Sequence, residues 1–301
     1  LPVPGITEQS GVPLCKDATL TYSTEPLKNS YSWQALPDGV IAGSPPYGYQ
    51  VTVTWPTSGA KTLQVNYIEP TTLCTAATAS LFNTTINPLP SPGISQQIGA
   101  TLCPGSAITY TTEPGKINYD WQVSPDGAIA ETPPYSNQVT ISFPTSGLKT
   151  VSVNYTDPAT LCAAADHTDF QLTINQTPTP GIVQQTGVAL CPNSPVTFTT
   201  EPGKNNYAWS VQPDGVIQEL PPYGNLVTVI WPTSGAKNVS VNYADPVTMC
   251  TAPVPASLGL TVNPLPVPAI LGPDPVCVNS TIQYTSDAGM TAYQWTVDPA
   301  F

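Results

Sequence analysis

The sequence contains very little charge and almost no basic side chains. It has no arginine, seven lysines, one histidine and 19 acidic residues, which give a net charge of −12. A chain with so few cations cannot neutralise a row of nucleic-acid phosphates, so nucleic acid is excluded as a partner. Because no apolar run approaches the ~20 residues that a membrane-spanning helix needs, we expect no membrane span in this segment.

Residues that could act in catalysis or bind a metal ion are equally scarce. Nucleophilic catalysis needs a positioned base, and the single histidine, His167, lies in an unrepeated polar stretch that we interpret as an exposed loop. Paired Cys-x-x-Cys spacing, typical of zinc sites, does not occur. Recurring acidic residues occur singly in turns, whereas calcium needs several converging oxygens; calcium at the linkers is the alternative. We therefore predict no enzyme activity, no cofactor and no metal site.

What the sequence does contain is an internal repeat. Its seven cysteines are Cys15, Cys74, Cys103, Cys162, Cys191, Cys250 and Cys277. Within each of the first three pairs the two cysteines are 59 residues apart, and equivalent cysteines of the complete repeats are 88 residues apart. We call Cys15, Cys103, Cys191 and Cys277 the first cysteines, and Cys74, Cys162 and Cys250 the second cysteines. A fixed period of this kind indicates tandem domains.

Proline clusters mark the boundaries between the repeats. Alternating prolines favour extended backbone and short, semi-rigid linkers, as at Leu89–Pro92. The predicted domains are repeat one (1–88), repeat two (89–176), repeat three (177–264) and a partial repeat four (265–301). Both ends of the sequence are interpreted as cuts through a longer array.

Each repeat reads as a series of short strands. Apolar residues alternate with polar ones, as in Val51, Val53 and Trp55, and turn residues such as Pro37-Asp38-Gly39 separate the runs. The turn at Pro56–Gly59 is predicted to close a hairpin. About seven such strands in 88 residues predict an all-β chain, a tandem array of immunoglobulin-like β-sandwiches.

Together these residues resemble a known family. A cysteine, a strand, Tyr-x-Trp, a Pro-Asp-Gly turn, a valine-rich strand and a second cysteine are similar to PKD-like Ig-fold repeats of large secreted surface proteins and adhesins, notably of Bacteroidota. The Pro-Asp-Gly turn replaces the family's usual Phe-Gly-Asp-Gly. The resemblance covers all four repeats and implies an extracellular spacer or adhesive role without catalytic residues.

The equal spacing of the cysteines favours disulfide bonds inside each repeat. We predict Cys15–Cys74, Cys103–Cys162 and Cys191–Cys250, and we expect Cys277 to lack its partner, which would lie near position 336. Bonds across the linkers, such as Cys74–Cys103, and free buried thiols are the alternatives. Disulfides would place the chain in an oxidising compartment.

Aromatic residues and lysines recur at fixed positions as well. The strand tryptophans are predicted to fill the cores: Trp33, Trp121, Trp209 and Trp295. The Pro-Pro-Tyr corners are interpreted as structural corners, with contact loops for a ligand or a lateral partner as the alternative: Tyr47, Tyr135 and Tyr223. Lysines also recur at one equivalent position in each complete repeat, and they are interpreted as edge charges that discourage strand-to-strand aggregation: Lys61, Lys149 and Lys237.

These observations predict a non-catalytic, extracellular repeat region that forms a disulfide-stapled rod or stalk at the cell surface. Its partners would be neighbouring repeats of the same chain, with homo-polymerisation or a surface or glycan ligand as further candidates. Two alternative functions remain. The chain could be the subunit of a self-assembling filament, or an accessory region of a secreted hydrolase.

Overall fold

The computed structural model describes residues 1–298 and is all-β. It contains 23 strands, and residues 1–298 include no helix. The predicted fold class, a tandem array of Ig-like sandwiches with about seven strands each, is confirmed for the three complete repeats. The last three residues of repeat four, 299–301, lie outside the described residues.

The three complete repeats contain the same seven strands at equivalent positions. Those of repeat one are β1 Thr7–Glu8, β2 Thr19–Ser23, β3 Asn29–Leu36, β4 Val40–Ile41, β5 Gln50–Thr54, β6 Gly59–Ile68 and β7 Ser80–Ile86. Those of repeat two are β8 Ser95–Gln96, β9 Ala107–Thr111, β10 Ile117–Ser124, β11 Ala128–Ile129, β12 Gln138–Ser142, β13 Gly147–Thr156 and β14 Thr168–Ile174. Those of repeat three are β15 Val183–Gln184, β16 Val196–Thr199, β17 Asn205–Gln212, β18 Val216–Ile217, β19 Leu226–Ile230, β20 Gly235–Ala244 and β21 Ala256–Val262.

Each repeat folds into two antiparallel sheets. In repeat one a four-stranded sheet has the order β1-β2-β5-β4 and a three-stranded sheet has the order β3-β6-β7. Lettered A to G, these are the ABED and CFG sheets of a constant-type immunoglobulin domain. Repeats two and three have the same strand orders. The seven strands and their order, rather than any single motif, assign the fold.

Alternating side chains from both sheets fill the core of each repeat. In repeat one, Leu20 and Tyr22 of β2 face Leu63 and Val65 of β6 in one buried cluster. The ring of Trp33 on β3 is buried in this cluster, and its indole N–H donates to the Gly48 carbonyl at 3.0 Å. Equivalent clusters form around Trp121 in repeat two and Trp209 in repeat three.

The turn at Pro56–Gly59 is not a hairpin, contrary to the expectation. It joins β5 and β6, which belong to different sheets, so the chain crosses over the core at this point. The Pro-Asp-Gly turn packs against this crossover. A Cβ atom on Gly39 would lie 2.5 Å from the Ala35 Cβ atom and 2.6 Å from the Trp55 ring, so only glycine fits there.

The described part of repeat four does not form a sandwich. Residues 265–298 contain only the two-residue strands β22 Ile270–Leu271 and β23 Thr285–Ser286. Trp295 was expected in a core but is 52% exposed, because no second sheet covers it within residues 265–298. The chain divides into two compact units, Leu1–Thr177 and Pro178–Phe301.

The two settings of the repeated tryptophan lead to a prediction. Replacing Trp33 with alanine removes a buried ring and leaves a cavity, which typically costs about 3–5 kcal/mol. We expect the unfolding transition of repeat one to shift accordingly in urea, followed by tryptophan fluorescence and circular dichroism. Trp295→Ala is the matched control and should leave all transitions in place. Equal effects of the two substitutions would contradict the assignment of Trp33 to the core.

Candidate functional site

The first cysteine of a repeat lies at the end of the sandwich where β7 finishes. Around Cys15, the amide of Lys16 donates to the Asn87 carbonyl at 2.9 Å, and the amide of Asn87 donates to the Leu14 carbonyl at 2.7 Å. Asn87 directly follows β7, so Cys15 is tied to the exit of the chain from repeat one. We call this end of each repeat the exit face.

The second cysteine lies at the opposite end, in the loop between β6 and β7. The Glu69 amide, just beyond β6, donates to the Cys74 carbonyl at 2.9 Å and anchors this loop. Strand β6 begins at Gly59 opposite Ile86 on the exit face and runs for ten residues to Ile68 at the other end. We call this second end the entry face. At ~3.3 Å per residue the strand separates the two ends by about 33 Å.

This separation overturns the predicted disulfides within repeats. A disulfide needs Cα atoms about 4.4–6.8 Å apart, so Cys15 cannot reach Cys74 along the length of β6. The structure instead joins Cys15 to Cys162, with a Cα–Cα distance of 5.7 Å. The predicted pairs Cys15–Cys74 and Cys103–Cys162 are therefore wrong, and Cys191–Cys250 is wrong as well because Cys191 is free.

The path of the chain explains why Cys15 and Cys162 meet. The chain leaves repeat one at its exit face and enters repeat two at β8, whose Ser95 pairs with Thr111 at the end of β9. That end of β9 is the entry face of repeat two, which also carries the β13–β14 loop with Cys162. Repeats one and two thus bring Cys15, the first cysteine of one, to Cys162, the second cysteine of the other, across the proline linker.

The remaining cysteines divide into two groups. Cys103 and Cys250 are disulfide-bonded. Cys74, Cys191 and Cys277 are free thiols. Cys162 is fully buried at the junction of repeats one and two, whereas Cys74, its equivalent in repeat one, is half-buried.

A repeated glutamate holds the linker against the entry face of the following repeat. The carboxylate of Glu113 accepts hydrogen bonds from the linker amide of Gly93 at 3.0 Å and from the Thr112 hydroxyl at 2.7 Å. Glu25 binds Gly5 in the same way, and Glu201 binds Gly181. The sequence pattern showed these glutamates as turn residues and gave no sign of this role.

The environment of Glu201 stabilises its charged form. Burial favours the neutral acid, but hydrogen bonds from the Thr200 hydroxyl, the Gly181 amide and the Tyr243 hydroxyl outweigh burial and lower the pKa of Glu201 to about 2. The Tyr243 hydroxyl lies 3.0 Å from the carboxylate. Burial, together with the neighbouring carboxylate, raises the pKa of Tyr243 to about 12.

The repeated lysines Lys61, Lys149 and Lys237 are buried, so their interpretation as edge charges is wrong. Strand β6 lies between β3 and β7, so Lys61 is not on an edge, and its side chain is only 2% exposed. Its ammonium group donates to the Asp38 carboxylate and, at 2.6 Å, to the Thr57 hydroxyl. It also lies 5.7 Å from the centroid of the Trp55 ring, within cation–π range.

Repeats two and three contain the same ion cluster. Lys149 donates to Asp126 and Thr145, and Lys237 donates to Asp214 and Thr233. The hydrogen bond from each lysine, supported by that from the threonine, lowers the pKa of the aspartate below its ordinary value. The Pro-Asp-Gly aspartates therefore serve as counter-ions for buried lysines, in addition to forming turns.

The candidate contact tyrosines are not free surface groups. Tyr47 is half-buried, packs against the core of repeat one and forms a β-bridge with Tyr31. Tyr135 and Tyr223 are placed in the same way against the cores of repeats two and three. These corners close the sandwich, and each leaves only part of a ring to solvent.

His167 forms a small polar cluster on the surface of repeat two. Its Nε2 atom lies 2.8 Å from a carboxylate oxygen of Asp120 and 3.1 Å from the amide nitrogen of Gln122. The cluster offers one imidazole and one carboxylate as metal ligands, too few for a metal ion. Residues 1–298 contain no group of three or more histidine, cysteine or acidic side chains that could hold one. They also contain no helix long and apolar enough to cross a membrane.

Comparison with known proteins gives no family. Neither a family model nor a curated protein matches the sequence. Among solved structures, the D0-D1 domain of Intimin is 17% identical, with 56% of this chain and 99% of that chain covered and a TM-score of 0.23. The SGBP-B protein of the Bacteroides ovatus mixed-linkage glucan utilization locus is 12% identical, with 90% and 72% covered and a TM-score of 0.21.

A third similar structure, the FN1-FN3 domains of chicken CNTN1, is 10% identical, with 86% and 98% covered and a TM-score of 0.24. Superpositions with TM-scores this low do not support conclusions about the function of this chain. The Ig-like assignment rests on its strand order.

The buried ion cluster leads to a prediction about stability. Asp38→Asn leaves the buried Lys61 ammonium without its counter-ion, and we expect a lower melting temperature for repeat one by calorimetry. Asp17→Asn, which removes a carboxylate from an exposed ion pair, is the control and should change little. Adding Lys61→Met to Asp38→Asn should recover part of the loss. If the single and double variants melt together, the ion pair does not contribute as described.

The carboxylate pKa values lead to a prediction about pH. A pKa that is lower in the folded state means that the ionised form of Glu201 stabilises the fold; this contribution is complete above its ordinary pKa of 4.5 and disappears as the pH falls towards 2. We expect the melting temperature of repeat three to fall between pH 5 and pH 2. Glu201→Gln should flatten this dependence, whereas Asp274→Asn, at an exposed site, should preserve it. A dependence unchanged by Glu201→Gln would contradict the role of this carboxylate.

Proposed function

We propose that this chain is a non-catalytic structural region of an extracellular surface protein, a stalk in which disulfides join successive Ig-like repeats. The single observation that carries the proposal is the Cys15–Cys162 disulfide, which links two different repeats over 147 residues of chain. A bond inside a domain stabilises that domain. A bond between domains restricts how they move relative to each other, which is what a load-bearing spacer needs.

The linker between repeats one and two supports the same function. Proline alternation already limits its flexibility, and the Gly93 amide is bound by Glu113 on the entry face of repeat two. The disulfide therefore joins two repeats whose linker is also held by a hydrogen bond near the same junction. Independent tumbling of the two domains would require both ties to open.

Compartment and family are inferred from different features. Disulfides persist in oxidising environments and are rare in the cytosol, so the bonded cysteines favour a secreted or cell-surface location. The resemblance of the Cys, Tyr-x-Trp and Pro-Asp-Gly pattern to PKD-like repeats of Bacteroidota surface proteins supports the same location. A spacer role also agrees with the chemistry of the described residues, whose ionic groups are engaged mainly in structural pairs.

Domain orientation measured by NMR tests the stalk. With the Cys15–Cys162 bond intact, we expect residual dipolar couplings from repeats one and two to fit one alignment tensor. In a Cys15→Ser/Cys162→Ser variant the two repeats should require separate tensors, while each keeps its own fold. Cys74→Ser, which removes a free thiol of the same repeat pair, is the matched control and should retain the single tensor.

If the double variant still fits one tensor, the disulfide does not set the orientation of the repeats and the proposal loses its basis.

Location is tested separately. Antibody against this segment should label intact source cells, and the label should be lost after brief treatment of the cells with protease.

A further inference from the structure

The Cys15–Cys162 disulfide closes a covalent ring that contains most of repeats one and two. Cys15 precedes β2 and Cys162 follows β13, so the ring holds six of the seven strands of each repeat, β2–β7 and β8–β13. Of the strands of these two repeats, β1 precedes the ring and β14 follows it. The bond therefore separates the strands inside the ring from the two that flank it.

The segment before the ring runs the length of repeat one. The Gly5 amide donates to the Glu25 carboxylate on the entry face, and Cys15 lies ten residues later on the exit face, beside the end of β7. The chain between these two points thus crosses the whole sandwich.

The segment after the ring runs the length of repeat two. It starts at Cys162 on the entry face and continues as β14 to the exit face, where Ile174 pairs with Gly147 at the start of β13. We call residues 3–15 and 162–176 together the outer path. Joined by the disulfide, they lead from one end of repeat one to the far end of repeat two.

Hydrogen bonds attach the two halves of the outer path unequally to the sandwiches. β1 pairs with β2 through only two residues, Thr7 and Glu8, whereas all seven residues of β14 pair with β13. A tension on β1 would peel these two residues from β2 if hydrogen bonds alone opposed it. Because the segment continues to Cys15 and is bonded to Cys162, the tension passes into repeat two through a covalent bond.

The outer path has little slack. It contains 12 residues from Val3 to Cys15 and 14 from Cys162 to Gln176, which reach about 90 Å when fully extended at ~3.5 Å per residue. The ten-residue strands β6 and β13 give two sandwiches in line a span of about 66 Å at ~3.3 Å per residue. The bonded Cα atoms are 5.7 Å apart and lie on both routes. The outer path can therefore lengthen by only about 25 Å before it is taut.

We propose that the Cys15–Cys162 bond makes the outer path a covalent strut, which carries tension past the ring and limits the extension of repeats one and two. A load that enters before Cys15 and leaves at the end of repeat two crosses one covalent bond, and β2–β13 lie outside its path. The disulfide of Cys103, inside the ring, does not alter this path between these two points. The inference rests on the proposed stalk function and assigns the residues that bear its load.

Without the bond, the same load passes through the ring. The sequence separation of 147 between the two cysteines then becomes extensible. Once both repeats unfold, this segment adds about 500 Å at ~3.5 Å per residue. The strut therefore decides whether this part of the stalk keeps its length or lengthens severalfold under tension.

Stretching the whole chain in optical tweezers tests the strut. Azide-bearing side chains replace Val3, which is 84% exposed, and the exposed Gln176, so that both handles attach outside the ring. We expect the native chain to lengthen by no more than about 30 Å between the handles. At the same forces, Cys15→Ser/Cys162→Ser should lengthen by about 500 Å as its repeats unfold. If this variant does not fold, the native chain stretched in dithiothreitol supplies the open form.

Two matched variants serve as controls. Cys74→Ser removes a free thiol of the same two repeats and should leave the limit unchanged. Glu25→Gln weakens the non-covalent attachment of Gly5 to repeat one. It should also leave the limit unchanged, because a covalent strut does not depend on that contact. A longer extension in Glu25→Gln than in the native chain would overturn the strut.

Peptide mapping of the stretched samples separates the strut from the stalk. If Cys15–Cys162 is found and the native chain still lengthens clearly beyond about 30 Å, the outer path is slack. The strut is then refuted and the stalk stands. Equal extensions of the native chain and the open form would refute the strut as well. If the native chain lengthens by about 500 Å and the bond is not found, both proposals fail.

Discussion

The length and direction of β6 decide how this molecule is held together. The strand places the two cysteines of a repeat at opposite ends of the sandwich, about 33 Å apart at the usual rise per residue. Neither cysteine can therefore stabilise its own repeat, and each is available only to a neighbour. Because β7 ends beside the first cysteine, the chain itself delivers the next repeat to that thiol. The disulfide between repeats one and two therefore follows from the order of the strands, and no further binding surface is needed to bring the two cysteines together.

The interiors of the repeats are consequently stabilised by other means. Each combines two sheets with an alternating apolar core and a buried lysine whose counter-ion comes from the Pro-Asp-Gly turn. The threonine of the crossover between sheets, Thr57, binds both ions. One cluster thus joins the turn after β3, the crossover after β5 and the start of β6. Its geometry ties the two sheets together at the end of the repeat that also carries the first cysteine.

Much of this architecture could be predicted from the sequence, and the failures have specific causes. The period of 88 residues and the alternation of apolar residues were enough for the fold class. Equal cysteine spacing suggested internal bonds, because spacing alone contains no information on strand direction. Once the strands are ordered as in an Ig domain, placing Cys15 before the second strand and Cys74 after the sixth is enough to exclude their pairing. The burial of Lys61 had a visible signal as well, since it occupies the same alternating face as Leu63 and Val65.

Trp295 shows the limit of arguing from a repeated motif alone. Its Tyr-x-Trp context matches that of Trp33, yet one ring is exposed and the other buried. A motif describes the residues that a core requires, whereas burial depends on both sheets being present to cover the ring. The same reasoning applies to the thiols. Cys74 and Cys162 are equivalent in sequence and local hydrogen bonding, and they differ because Cys162 meets Cys15 of the preceding repeat. In a tandem array the state of a side chain is therefore a property of the junction as well as of its own repeat.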